Sequence, residues 1–187
     1  MGKDAGHLYI QGILGSLKDT IEIDDLFYYD PQTVNKNHYQ ITTGSASLTY
    51  SSNGLTVKGT TNTDTLVKNT VLVLPTNYTA ELTITGLSNS QYNTYNYGGF
   101  CFDDCLMDLH KDYCKIYKLS DISITPIEIT KVTVGDTVKI EMQNATMKIY
   151  VNGVLKHTRT VTHTGIFYYR TYNYRSLTTK NLLIHEL

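Results

Sequence analysis

The stretch Cys101-Phe102-Asp103-Asp104-Cys105-Leu106-Met107-Asp108-Leu109-His110-Lys111-Asp112-Tyr113-Cys114 carries three thiols, one imidazole and four carboxylates within 14 residues. Cys101, Cys105, His110 and Cys114 are the ligand types of a Cys3His zinc site. Their spacings match no strong zinc pattern. Asp103, Asp104, Asp108 and Asp112 offer hard oxygens of the kind that suit calcium. A third reading needs no metal. If residues 98–103 pair with 112–119 as a hairpin, Cys101 and Cys114 become neighbours in adjacent strands, as buried small hydrophobes or a cross-strand disulfide. The metal-free loop is the favoured expectation, with calcium on Asp103, Asp104 and Asp108 as the metal alternative.

A different chemistry gathers in two Tyr-rich segments. Tyr92, Tyr95 and Tyr97 form one cluster, and Tyr168, Tyr169, Arg170, Tyr172, Tyr174 and Arg175 form the other. Sugars present apolar C–H faces and many hydroxyls. A Tyr ring meets the first and its hydroxyl the second, while Arg adds a fork of donors. The chain has only three Arg, Arg159, Arg170 and Arg175, and two of them lie in the second cluster. Tyr95, Tyr97, Tyr169, Arg170, Tyr172, Tyr174 and Arg175 are therefore the candidate ligand-binding residues. The competing expectation is that many of these rings alternate into the core, or mark a protein interface, where Tyr and Arg are also enriched.

The elements that must position these groups are strands. The chain of 187 residues has 28 Thr and only 4 Ala. Thr and Tyr fit a pleated surface, and Ala is the best helix former. Period-two alternation recurs: Tyr78, Ala80, Leu82 and Ile84 against Thr79, Glu81, Thr83 and Thr85; Val138, Ile140 and Met142 against Lys139 and Glu141; Met147, Ile149 and Val151 against Lys148 and Tyr150. Such runs bury one face of an antiparallel sheet. Asn152-Gly153 and Asn53-Gly54 sit between paired runs and are strong hairpin signals. About a dozen short strands with turns every 8 to 12 residues predict a sandwich or barrel. The length fits one domain over residues 17–187. The Gly-punctuated residues 1–16 read as an arm reaching a neighbouring subunit or as an edge strand.

The formal net charge of -1 argues against nucleic-acid and membrane-surface partners. No apolar run approaches the roughly 20 residues that span a bilayer. Met1 to Gly15 lacks a basic start followed by an apolar block, so a secretory signal is not expected. An odd count of 3 Cys is no disulfide framework and suggests synthesis in a reducing cytosol.

The C-terminal half carries a more specific pattern. It runs Gly135-Asp136-Thr137-Val138-Lys139-Ile140-Glu141, then Met147-Lys148-Ile149-Tyr150-Val151-Asn152-Gly153, then Gly165-Ile166-Phe167-Tyr168-Tyr169-Arg170, and ends Lys180-Asn181-Leu182-Leu183-Ile184. This resembles the closing strands of concanavalin A-like jelly rolls, the lectin/glucanase and laminin-G class. Gly98-Gly99-Phe100-Cys101-Phe102-Asp103 with Tyr113-Cys114-Lys115-Ile116-Tyr117 is similar to the family's central pair, and Asp24-Asp25-Leu26-Phe27-Tyr28 to its opening. The resemblance spans about residues 20 to 187 and implies an all-β antiparallel sandwich of jelly-roll type. Tyr-, Asn- and Thr-rich versions with few Trp resemble domains of phage tail, neck and baseplate proteins and of microbial adhesins. That implies a non-catalytic carbohydrate-recognition domain, exposed on a virion or cell surface as an oligomer or part of a larger assembly. Its partners would be a glycan or other surface subunits. The alternative is a purely structural virion decoration or connector.

A glycoside hydrolase is disfavoured. Glucanases of this class carry Glu-x-Asp-x-x-Glu on one strand, which sets a nucleophile and an acid about the sugar bond. Here Glu22-Ile23-Asp24 begins the pattern, but Phe27 stands at its third position.

Overall fold

A computed structural model of the chain describes residues 26–29, 38–89, 96–120 and 125–187. The alternating runs become the long strands of one sheet. β6 (Tyr78–Ser88) pairs with β11 (Thr137–Gln143), and β11 with β12 (Thr146–Val151). The registers line up Tyr78, Met142 and Met147, then Ala80, Ile140 and Ile149, then Leu82, Val138 and Val151. Each of these nine side chains is buried. Three apolar rows thus seal one face, at roughly 1.5–3 kcal/mol for each large side chain removed from water.

The remaining strands complete two antiparallel layers. β13 (Val154–Thr160) extends the first sheet beyond β12, and β15 (Ser176–Glu186) joins it on the other side of β6. β4 (Gly54–Gly59) and β3 (Ala46–Ser51) follow along the first half of β15, and β1 (Leu26–Tyr29) lies along its second half. The second sheet has the order β10 (Ile127–Ile129), β9 (Cys114–Lys118), β8 (Cys105–His110), β7 (Asn96–Phe102), β14 (Phe167–Tyr172), β5 (Asp64–Asn69) and β2 (Tyr39–Thr43). The fold is the predicted β-sandwich, with eight strands facing seven.

Both hairpins form, the first in the chain with Asn53 in its turn and Gly54 already paired with Ser51 as the first residue of β4. Asn152 and Gly153 have φ of 51° and 76°, the mirror-image turn that suits the twist of paired strands, and they join β12 to β13. Aromatic rings fill the space between the layers. Phe102 and Phe167 are 4.8 Å apart at their ring centres, and Phe167 and Tyr169 are 4.9 Å apart edge to face. Tyr39 and Tyr78 are also in this core.

One segment differs from its expected form. The residues between Cys101 and Cys114 are not a loop. Asp103 and Asp104 make a tight turn, and Cys105 to His110 form β8, which runs between β7 and β9. Cys101 is opposite Leu106 and Cys114 opposite Leu109, so Cys101 and Cys114 do not sit in adjacent strands. All three cysteines are free and buried. The expected arm over residues 1–16, the Glu22–Asp24 pair, Tyr92 and Tyr95 lie outside the described residues.

Candidate functional site

Alternation along the second sheet sends Phe100, Phe102, Met107, Leu109, Phe167 and Tyr169 into the core. The residues between them face away from it. Across β14, β7 and β8 this outer face aligns Arg170, Gly99 and Asp108 in one row. Gly99 has no room for a side chain: a Cβ there would lie 2.1 Å from the Met107 carbonyl oxygen. The row is thus an Arg and an Asp with a bare backbone between them.

Arg170 reaches in both directions from this row. Its Nε and Nη2 donate to the Asp64 carboxylate at 2.8 and 3.0 Å, a bidentate fork. Its Nη1 lies 3.7 Å from Asp108 Oδ2. Burial works against the charge on Arg170, but the bonds to Asp64 and the Asp108 carboxylate outweigh it and raise its pKa. Asp108 Oδ2 also accepts from Asn96 Nδ2 at 2.9 Å and lies 3.5 Å from His110 Nε2. Asn96 Oδ1 in turn accepts the Gly98 N–H at 2.9 Å, beside a bulge where the register with β8 shifts.

The rim is built by the corner that follows β14. Asn173 and Tyr174 both have positive φ, 55° and 61°, and the Arg175 N–H closes the turn on the Tyr172 carbonyl at 3.2 Å. The Arg175 guanidinium then lies over the Tyr172 ring, 5.0 Å from its centre. Burial lowers the pKa of Arg175, opposed by the nearby Asp108 charge. Asp64, Asn96, Gly98, Asp108, Arg170, Thr171, Tyr172 and Arg175 together line a cleft of about 190 Å³.

Of the seven candidate ligand-binding residues, Arg170, Tyr172 and Arg175 meet in this cleft. Tyr174 is exposed on the corner beside it. Tyr97 packs partly buried against the core. Tyr169 belongs to the core: it is 1% exposed, and its hydroxyl bonds Thr179 Oγ1. It is therefore a ring filler between the sheets. Tyr95 is outside the described residues.

The metal readings are corrected by the strand. Cys105 and Cys114 point into the core, while Cys101 and His110 point to the opposite face, so the four do not converge. Burial pushes the Cys105 thiol up to about 12 and raises Cys101 and Cys114 as well, which keeps all three protonated at neutral pH. The three carboxylates also diverge. Asp103 accepts from Tyr78 Oη at 2.8 Å, from the Thr164 and Gly165 N–H groups at 2.9 and 2.8 Å, and lies 3.0 Å from His163 Nδ1. Asp104 accepts from the Ser120 N–H and hydroxyl at 2.7 and 2.8 Å. Asp108 belongs to the cleft. Among the described residues no group of three or more His, Cys, Asp or Glu is placed to hold a metal ion.

Asp64, Asn96 and the cleft role of Asp108 escape the sequence reading. Asp108 had a signal, since it shares the period-two face of Leu106 and His110. Asp64 had none, because its partner Arg170 is 106 residues away.

No family model and no curated protein matches this chain. Solved structures do. The carbohydrate-binding module CBM66 from Bacillus subtilis is 17% identical with a TM-score of 0.60, covering 80% of this chain and 96% of that one. The Crh5 transglycosylase in complex with NAG is 9% identical with a TM-score of 0.62, covering 87% of this chain and 84% of that one. The exoplasmic/lumenal domain of VIP36, in a Ca2+/Man3GlcNAc-bound form, is 9% identical with a TM-score of 0.55, covering 84% and 87%. These likenesses show the fold, a concanavalin A-like jelly roll.

Proposed function

We propose that this chain is a non-catalytic carbohydrate-binding domain whose site is the cleft on the outer face of the seven-stranded sheet. The observation that carries the reading is the array itself. Fixed acceptors on Asp64 and Asp108, donors on Asn96, Arg170 and Arg175, and the Tyr172 ring converge on one small space. Hydroxyl-rich rings are recognised by such sets of pre-placed polar groups beside an aromatic surface. The likeness to a carbohydrate-binding module and to a glycan-bound lumenal domain supports the same reading.

A hydrolase site asks for two carboxyl groups flanking the sugar bond, one of them a proton donor. Asp64 and Asp108 are instead tied to one guanidinium. That suits acceptors for hydroxyls. A cleft of about 190 Å³ is smaller than the roughly 300–1,000 Å³ of ordinary small-ligand pockets, so single-site affinity is expected to be weak. Display in many copies on a virion appendage or microbial surface would multiply it. That setting is what the resemblance to Tyr-, Asn- and Thr-rich jelly rolls of phage tail proteins and microbial adhesins implies.

A glycan array followed by calorimetric titration of the best ligand tests the site. Tyr172→Ala should weaken binding roughly tenfold, about 1.4 kcal/mol, and leave the thermal melt in place. Unchanged affinity would remove the cleft from consideration, and release of reducing sugar from the bound glycan would show catalysis.

A further inference from the structure

Two carboxylates and two guanidinium groups face the cleft, yet their pairing is uneven. Asp64 and Asp108 both pair with Arg170. Arg175 is 4% exposed, and its Nε has no hydrogen-bond partner. A guanidinium so deep is costly unless an acceptor meets it. It is also held still. The Arg175 carbonyl accepts the Gly59 N–H at 3.0 Å and the Thr171 hydroxyl at 2.8 Å, its own N–H is bonded to Tyr172, and the Tyr172 ring lies against its head group. The fold therefore fixes a cation beside an open cleft, with the Tyr172 ring against it and no hydrogen-bond acceptor for its Nε among the described residues. The chemistry that completes such a group is an anion with two acceptor oxygens in one plane or nearly so.

We infer that the cleft takes a glycan unit bearing an acidic group, a carboxylate or a sulfate, and that Arg175 is the residue that pairs with it. This rests on the carbohydrate-binding reading and specifies the class of sugar. Asp64 and Asp108 do not repel such a unit as free charges would, because Arg170 lies between them. Their remaining lone pairs are left for the sugar hydroxyls, and the acidic group lies toward the corner, where Arg175 stands.

The test compares matched glycans on the intact chain. Glucuronate-, galacturonate- and N-acetylneuraminate-terminated oligosaccharides are titrated against their carboxyl-reduced counterparts, and sulfated galacto-oligosaccharides against desulfated ones. At least one acidic member should bind tenfold or more tightly than its neutral partner, and the pair that shows the preference tells carboxylate from sulfate. Arg175→Gln should bring that ratio close to one, with Arg175→Lys between. Equal binding of acidic and neutral partners, or binding of neutral members alone, overturns the inference while the carbohydrate reading stands. A preference that survives intact in a folded Arg175→Gln protein places the acid elsewhere and overturns it too. No binding by any member overturns both. The comparison on the unaltered protein needs no variant to fold.

Discussion

Arg170 and Arg175 are close in sequence and opposite in circumstance. The first is charged more firmly by Asp64 and Asp108, the second less firmly by burial. Alternation explains part of this: Arg170 lies on the outer face of β14, whereas Arg175 follows a corner whose two central residues have positive φ. Tyr174 is one of them, an aromatic residue in a conformation that costs L-residues about 1–2 kcal/mol. Such strain is often kept where it aims a side chain. Asp103 is deeply committed, with no side-chain exposure, donors from β6 and from the turn before β14, and His163 Nδ1 at 3.0 Å. Burial raises the pKa of its partner Tyr78, with the Asp103 charge adding to it, so the phenol remains a donor at any ordinary pH. Asp103→Ala leaves these donors unmet and should cost about 3 kcal/mol. A thermal melt lowered by roughly 6–12 °C is expected. A melt shifted by less than about 2 °C would mean that the network contributes little to stability.

At the level of elements, the site depends on β7, β8 and β14 lying at close range. Gly99 sets that range, because any side chain there meets the backbone of β8. Gly99→Ala should push Met107 and Asp108 away from β14, lower stability by about 2 kcal/mol or more, and weaken ligand binding together with it. A variant with wild-type melt and affinity would contradict this account of the row. β8 was also the element hardest to read. In β6 and β11 one face is apolar and the other polar, so period two is visible. In β8 five of six residues are buried, on both faces, and Cys105, Leu106, Met107 and Leu109 blur the alternation. With its acidic neighbours, such a run reads as a loop of potential ligands. The Asn152-Gly153 hairpin, by contrast, depends on local backbone preference and was legible from two residues.

For the whole molecule, the class of fold was legible because strand alternation and turns repeat throughout the chain. The cleft was legible only in its β14 half. Its other half comes from β5, β7 and β8, which the sheet order β8-β7-β14-β5 brings beside β14 from distant parts of the sequence. Clusters of Tyr in sequence were a poor guide for the same reason: Tyr169 and Tyr172 are three residues apart, yet one seals the core and the other borders the cleft. On the proposed reading, the outer face of the seven-stranded sheet binds a glycan at this cleft. Chemical-shift mapping of the isotope-labelled protein, titrated with the best oligosaccharide from the array, tests it directly. The largest amide shifts are expected at Asp64, Asn96, Gly98, Asp108 and the segment from Arg170 to Arg175. Saturating shifts confined to the eight-stranded sheet, with these amides unmoved, would contradict it.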